Sequence, residues 1–445
     1  MLSTGMGFLE NVRESASPKG REAAMIWPKA RGAGSRREYP NMADRLRKGL
    51  VLFALGAAFL TSSFPALAQD AASFAVWRDA FRTEALGAGI SAQTFDAAFD
   101  GVSLNETVLE RDAFQPEFSR PIWEYLDSAA SEARIANGRA QLAANADLFA
   151  AIEERFNVER YVVAAIWGLE SSYGAIRGTT YIIEALATLA YDGRRAAWAR
   201  EQLIAALRIL DEGNMEPHTM VGSWAGAMGH TQFIPTSYTQ YAVDFDGDGR
   251  RDLINTPADA LGSTASYLAS FGWNASQTWG GEVILPDGFA FVTTGRGNVQ
   301  TMSQWRALGV INADGSPLAA TNELASIIVP GGAAGPAFLI RDNFEVIMRY
   351  NNSTAYALGI AHLSDRLRGA EPFVSTWPRD ARPLTRGERF ELQRLLAVKG
   401  FNPGPADGIV GARTQSAVRS FQGTQGLPQD GYASAVLLEQ LRAAD

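Results

Sequence analysis

From Ala72 to about Tyr191 apolar side chains return every three or four residues, which predicts helices. Phe74, Trp77, Phe81 and Leu86 open the pattern. Asn157 reads as the cap of a helix running through Val163, Ile166, Trp167 and Glu170, with Gly174 ending it. A further helix is predicted from Gly178, another from Arg194 to Leu210, and another from Asp259 to Phe271. Between these, Gly222–Tyr241 is rich in glycine and aromatics and reads as a shaped loop feeding a short helix. From Trp279 to Ile340 the texture changes to short strands and turns, and helical character resumes from Phe344 to Leu367. A proline-bearing stretch from Glu371 to Pro383 reads as a linker, with residues 372–383 as its span, before a short helical module over 384–442. The fold class expected is mainly α: a helical body with a small β-rich insertion, then a small three-helix module.

Glu170 is the informative residue of this pattern. Val163, Ile166 and Trp167 precede it by seven, four and three residues and share its helix face. A carboxyl among apolar neighbours resists ionisation, which keeps a proton available near neutral pH. The plainer reading of an isolated Glu there is a partly exposed residue held by a salt bridge.

Composition narrows the chemistry. The 445-residue chain has no cysteine, so disulfides, thiolate nucleophiles and zinc–thiolate sites are excluded. Its three histidines, His218, His230 and His362, exclude a histidine-rich metal site and argue against a Ser-His-Asp triad. A net charge of −8 argues against nucleic acid as partner. Near the start, Met42–Lys48 is basic, Gly49–Leu60 is apolar but too short to span a bilayer, and Ala66-Leu67-Ala68 fits a cleavage site. Residues 42–68 therefore read as a signal peptide cleaved after Ala68, giving a periplasmic protein with no stable membrane anchor. Residues 1–41 read as a start-site artefact or disordered extension. Monomer is the default state.

Two further motifs carry chemistry. Gly222-Ser-Trp-Ala-Gly-Ala-Met-Gly-His-Thr-Gln-Phe-Ile-Pro-Thr-Ser-Tyr238 places glycines beside Ser223 and Gln232, whose groups suit sugar hydroxyls and N-acetyl groups. A tight structural turn explains it equally well. Asp244-Phe-Asp246-Gly-Asp248-Gly-Arg250 reproduces the first half of an EF-hand loop, with Gly249 at its turn and the Arg250 carbonyl at position seven. This favours a structural Ca²⁺ over a metal-free acidic turn, although Asn255 stands where the closing Glu belongs.

Taken together, Glu170-Ser-Ser-Tyr-Gly, Ala185-Leu-Ala-Thr-Leu, the Gly222–Tyr238 motif and Arg349-Tyr-Asn-Asn-Ser-Thr-Ala-Tyr-Ala-Leu-Gly-Ile resemble the catalytic domain of bacterial lytic murein transglycosylases of the B family. That family is similar to lysozymes in its helical core, and the resemblance assigns residues 72–371 to the catalytic domain. It implies Glu170 as acid/base and Ser223 and Gln232 near the cleaved bond. It places Tyr125, Tyr267, Tyr350, Asn351 and Tyr356 along the cleft, and Arg194 and Arg195 toward peptide stems or glycan. For each tyrosine the residues alone suggest a core or rim aromatic. The metal loop of the family is closed by a later acid, here Asp259. The last module, with Asp407-Gly408 and Asp430-Gly431 turns, resembles a peptidoglycan-binding domain, and its near-repetition suggests an internal duplication. The implied partner is the peptidoglycan glycan strand, the implied product a 1,6-anhydro end, and no cofactor is implied for the chemistry. Two alternatives stand beside this reading: a hydrolytic muramidase with Asp192 or Glu184 as second acid, and a wall-binding scaffold without chemistry.

Overall fold

The computed structural model describes residues 64–113, 120–191 and 195–443. The expected signal-peptide regions before residue 64, together with Asp192 and Arg194, lie outside the described residues; the helix Phe64–Gly87 runs through the expected cleavage motif. No described helix is long and apolar enough to cross a membrane.

The body is built around the helix Arg160–Ser171. Every residue from Val162 to Gly168 is buried, so this helix is apolar all round rather than on one stripe. It packs against the helices Thr354–Arg368, Glu132–Ala144, Pro257–Ser270 and Ala146–Phe156. Two glycines allow the approach. A Cβ at Gly138 or Gly168 would sit 2.2 or 2.7 Å from the Tyr173 hydroxyl oxygen, so Tyr173 is wedged between the central helix and its neighbour. Its hydroxyl donates to the Arg134 carbonyl at 2.9 Å.

Two boundaries differ from the sequence pattern. Asn157 closes the preceding helix, in the left-handed region (φ 53°) with its N–H on the Glu153 carbonyl, and does not cap the central one. Asparagine tolerates that conformation, so it suits a helix end as readily as a start. The helix expected from Gly178 begins at Ile182; Thr180–Tyr181 instead pair with Val221–Gly222 as a two-residue antiparallel ribbon.

The β-rich insertion is a five-stranded antiparallel sheet. Its strands run in the order Gln300–Thr301, Leu324–Ile328, Ala337–Ile340, Gly280–Ile284, Ile311–Asn312. It has its own core around Trp305, Met302, Val310, Ile327 and Leu339. Trp279 Nε1 donates to Asp365 at 2.7 Å and ties the insertion to the helical body.

The expected linker has no helix or strand, but it is fastened rather than free. Val374 and Ser375 N–H groups both donate to Glu282 at 2.7 Å, Phe373 stacks on His362 with ring centres 3.8 Å apart, and Arg379 forks onto Asp127. Beyond it, helices Arg386–Val398, Ala412–Thr424 and Ala435–Ala443 close the last module. The near-repeat has a physical basis. Gln393 Oε1 accepts from Gly408 N–H at 2.8 Å, and Gln422 Oε1 accepts from Gly431 N–H at 2.9 Å. The two Gln side chains donate in turn to Asp407 and Asp430, so each half locks its turn the same way.

Candidate active site

Glu170 rides the last turn of the central helix, and the chain then bends through Ser172, Tyr173 and Gly174, all at positive φ. Ser171 holds this bend: its hydroxyl donates to the His230 carbonyl at 2.5 Å and accepts the Gly174 N–H at 2.8 Å. Gly174 is required there, because a Cβ would lie 2.4 Å from the His230 ring.

Glu170 is partly exposed at the surface, yet its carboxyl is surrounded densely enough that burial pushes its pKa from 4.5 to about 7. The Tyr356 hydroxyl donates to Glu170 Oε1 at 2.7 Å and partly offsets that rise. Burial and the nearby Glu170 charge hold the Tyr356 phenol well above its ordinary value, so Tyr356 stays a neutral donor. Tyr350 lies parallel to Tyr356 with ring centres 6.4 Å apart, and its hydroxyl donates to the Thr231 carbonyl at 2.5 Å. Tyr125 packs over Gly359, where a Cβ would lie 3.0 Å from its ring, and its pKa is raised by burial and by Glu170. Glu170, Tyr356, Tyr350 and Tyr125 thus form one electrostatic group.

The glycine-rich loop is a compact double turn. Met228 bridges both Gly222 and Phe233, and Gly229 is confined because a Cβ would meet the Leu253 carbonyl oxygen at 2.1 Å. Gln232 takes a left-handed conformation (φ 52°), and its amide donates to the Arg177 and Gly229 carbonyls. Both donors of that amide are used internally, which leaves Oε1 for a ligand. Ser223 Oγ accepts the Ala227 N–H at 3.0 Å and keeps its proton to donate. Asn351 is half-buried just past the helix Asp342–Tyr350.

Two expectations are corrected. Arg195 does not face a glycan: it is buried and pairs with Asp112 at 2.7 Å, beneath the rings of Trp198 and Trp224. An arginine that close to an equally buried acid braces the surrounding helices. Tyr267 is 2% exposed, with its hydroxyl on the Arg349 carbonyl at 2.6 Å; it supports the late motif from the core. Sequence reasoning passed over His230, which joins the bend after Glu170 to the glycine-rich loop, because its partners lie 59 and 63 residues away.

Glu184, nominated as a second acid, is bound by Asn105 Nδ2 at 2.9 Å and Ser103 Oγ at 3.4 Å.

In the acidic loop, carboxyl oxygens of Asp244, Asp246 and Asp259 lie within 4.8 Å of one another. Asp259 is buried, and it accepts backbone N–H groups of Phe245 at 2.7 Å and Asp252 at 2.8 Å. Asp244 accepts Gly247 and Gly249 N–H groups. Asp248 is exposed and stands outside the trio. An all-oxygen anionic set of this kind fits a hard cation such as Ca²⁺.

The helical body that carries Glu170 among tyrosines is matched over residues 73–365 by the family model of the transglycosylase SLT domain. The chain belongs to that family, and a peptidoglycan binding domain model matches residues 385–441. It is 49% identical to SltB3 from Pseudomonas aeruginosa, solved in complex with NAG-anhNAM-pentapeptide. That match has a TM-score of 0.81 and covers 83% of this chain and 99% of that one. Escherichia coli Slt35 in complex with calcium matches with a TM-score of 0.58 at 28% identity, over 65% of this chain and 92% of that one. Membrane-bound lytic murein transglycosylase B of Escherichia coli (strain K12) is 35% identical over 214 residues, 47% of this chain; the match spans 56% of that relative's length.

Proposed function

We propose that this protein is a lytic transglycosylase that cleaves the N-acetylmuramic acid–N-acetylglucosamine bond of peptidoglycan, with Glu170 as its single acid/base. One observation carries the reading. Glu170 is held near a pKa of 7 by burial, within hydrogen-bond reach of a neutral tyrosine. Most glycosidases need two carboxylates, one of them to act as nucleophile or to activate water.

The protonated Glu170 gives its proton to the glycosidic oxygen as the C1–O bond breaks. The substrate's acetamido group stabilises the oxocarbenium-like carbon. Glu170, now a carboxylate steadied by the Tyr356 hydroxyl, takes the proton from the muramic C6 hydroxyl, whose oxygen closes onto C1. A 1,6-anhydro end forms, Glu170 regains its proton, and no water enters. Ser223 Oγ–H and Gln232 Oε1 orient the acetamido group and hydroxyls, while Tyr125, Tyr350 and Asn351 line the cleft.

Around this centre, residues 72–371 form the catalytic domain, the strap 372–383 joins it to the module 384–442, and that module holds the wall. Asp244, Asp246 and Asp259 would hold a structural Ca²⁺, which braces the loop and takes no part in the reaction. The signal peptide 42–68 directs the chain to the periplasm as a monomer. The relative solved with NAG-anhNAM-pentapeptide supports the glycan substrate, and the relative solved with calcium supports the Ca²⁺ loop.

Digestion in water labelled with heavy oxygen tests the mechanism. Anhydro products carry no label. Labelled reducing ends would establish the muramidase instead, and an absence of any soluble product would establish the scaffold.

A further inference from the structure

His230 meets the catalytic bend on both sides of Glu170. Its ring Nδ1 accepts the Trp167 indole N–H at 3.1 Å, three residues before Glu170, and its carbonyl accepts the Ser171 hydroxyl at 2.5 Å, one residue after. The ring is buried, edge-on to Trp167 and against Gly174. Its Nε2 lies 3.3 Å from Arg177 Nη1, whose same nitrogen donates to the Ile254 carbonyl. His230 N–H donates to the Leu253 carbonyl, so the acidic loop is tied to the same point.

The two ring contacts define its state. An indole N–H and a guanidinium can only donate, so both ring nitrogens face donors. A neutral imidazole has one lone pair; at Nδ1 it accepts the Trp167 indole N–H, which puts the proton on Nε2, while Arg177 Nη1 already has the Ile254 carbonyl as its acceptor at 2.6 Å. An imidazolium would turn N–H groups toward both donors. Burial and Arg177 accordingly push its pKa down to about 4.

We propose that His230 is a positioning residue: its neutral ring holds Trp167 while its main-chain carbonyl holds Ser171, and the ring's bond to Trp167 sets where the Glu170 carboxyl points. This rests on the reading of Glu170 as acid/base. A residue that acts only on the aim of the acid affects the chemical step and leaves substrate binding largely unchanged. The bend it holds contains two left-handed non-glycine residues, Ser172 and Tyr173, a conformation that persists only where surroundings enforce it.

The test compares His230→Phe, His230→Asn, Trp167→Phe and the double variant His230→Phe/Trp167→Phe in the full chain, on soluble glycan chains, after circular dichroism and melting confirm folding. Loss of the clamp is expected to lower kcat by about tenfold to a hundredfold, as small misplacements of catalytic groups do, with KM within about twofold. His230→Asn, whose Oδ1 can stand in for Nδ1, is expected to recover most of kcat. The double variant is expected to be no worse than the poorer single, because both remove one hydrogen bond. Should His230→Phe fail to fold, Trp167→Phe carries the test by removing that bond from the other side. The proposal is overturned by folded variants with unchanged kcat, by losses confined to KM, by His230→Asn no better than His230→Phe, or by additive losses in the double variant. Glu170→Gln alongside separates the two claims: if it is active, the assignment of the acid fails, and if it is inactive while His230→Phe is unimpaired, only the clamp fails.

Discussion

Replacing Tyr356 by Phe removes the hydroxyl that donates to Glu170 Oε1 at 2.7 Å and leaves the ring stacked on Tyr350. That hydrogen bond favours the ionised carboxyl, so it holds the pKa below the value burial alone would give. Hydrogen bonds to a charged group contribute about 1.5–3 kcal/mol, and one pKa unit is about 1.4 kcal/mol, so Tyr356→Phe should raise the Glu170 pKa by about 1–2 units. The proposed first step needs protonated Glu170 in the free enzyme, so kcat/KM falls as pH rises through its pKa, near 7 in the wild type. The assay is the pH profile of kcat/KM on soluble glycan chains. In Tyr356→Phe the alkaline limb is expected to move to higher pH, whatever happens to the height of the profile. A limb that stays in place or moves to lower pH would refute the reasoning, because Tyr356 would then not be acting on the titrating group.

Other expectations follow from the same geometry. The folded pKa of Glu170 lies above its ordinary 4.5, so its ionisation favours the unfolded chain. That cost is absent below pH 4.5, grows as pH rises toward 7, and is complete above it. Glu170→Gln should therefore melt higher than wild type near pH 8, by up to about 3 kcal/mol less a discount for its solvent-facing part, with the advantage gone in acid. Arg195→Met removes the buried ion pair with Asp112 and should destabilise the chain in chemical denaturation, by up to about 3–5 kcal/mol, while kcat per folded molecule changes little. Ca²⁺ at about a hundred times its Kd should stabilise by about 2.7 kcal/mol; Asp246→Asn should abolish the rise in Tm, and a wild type indifferent to Ca²⁺ would remove the ion from the account.

Much of the site was legible because it is local. Glu170, Trp167, Ile166 and Val163 share a face through helical spacing alone, and the oxygen-rich loop announces itself by alternate aspartates around two glycines. The three-helix tail was legible through its repeated turns, each locked by a glutamine one helix earlier. What stayed hidden is long-range. Nothing in the string says that Arg195 meets Asp112 rather than a substrate, or that Tyr267 reaches the Arg349 carbonyl. Asn157 reads as a start and is an end because its side chain and its tolerance of positive φ suit either. The strap at 372–379 looked like a tether from its prolines, and only the packed structure brings Glu282, His362 and Asp127 to meet it.

The most direct measurement is mass spectrometry of the soluble products released from purified peptidoglycan by residues 69–445 and by its Glu170→Gln variant, with cosedimentation reporting wall binding for both. The account expects muropeptides one water lighter than hydrolysis products from the wild type, and none from a variant that still binds the wall. Anhydro products from Glu170→Gln at near wild-type rate would contradict it.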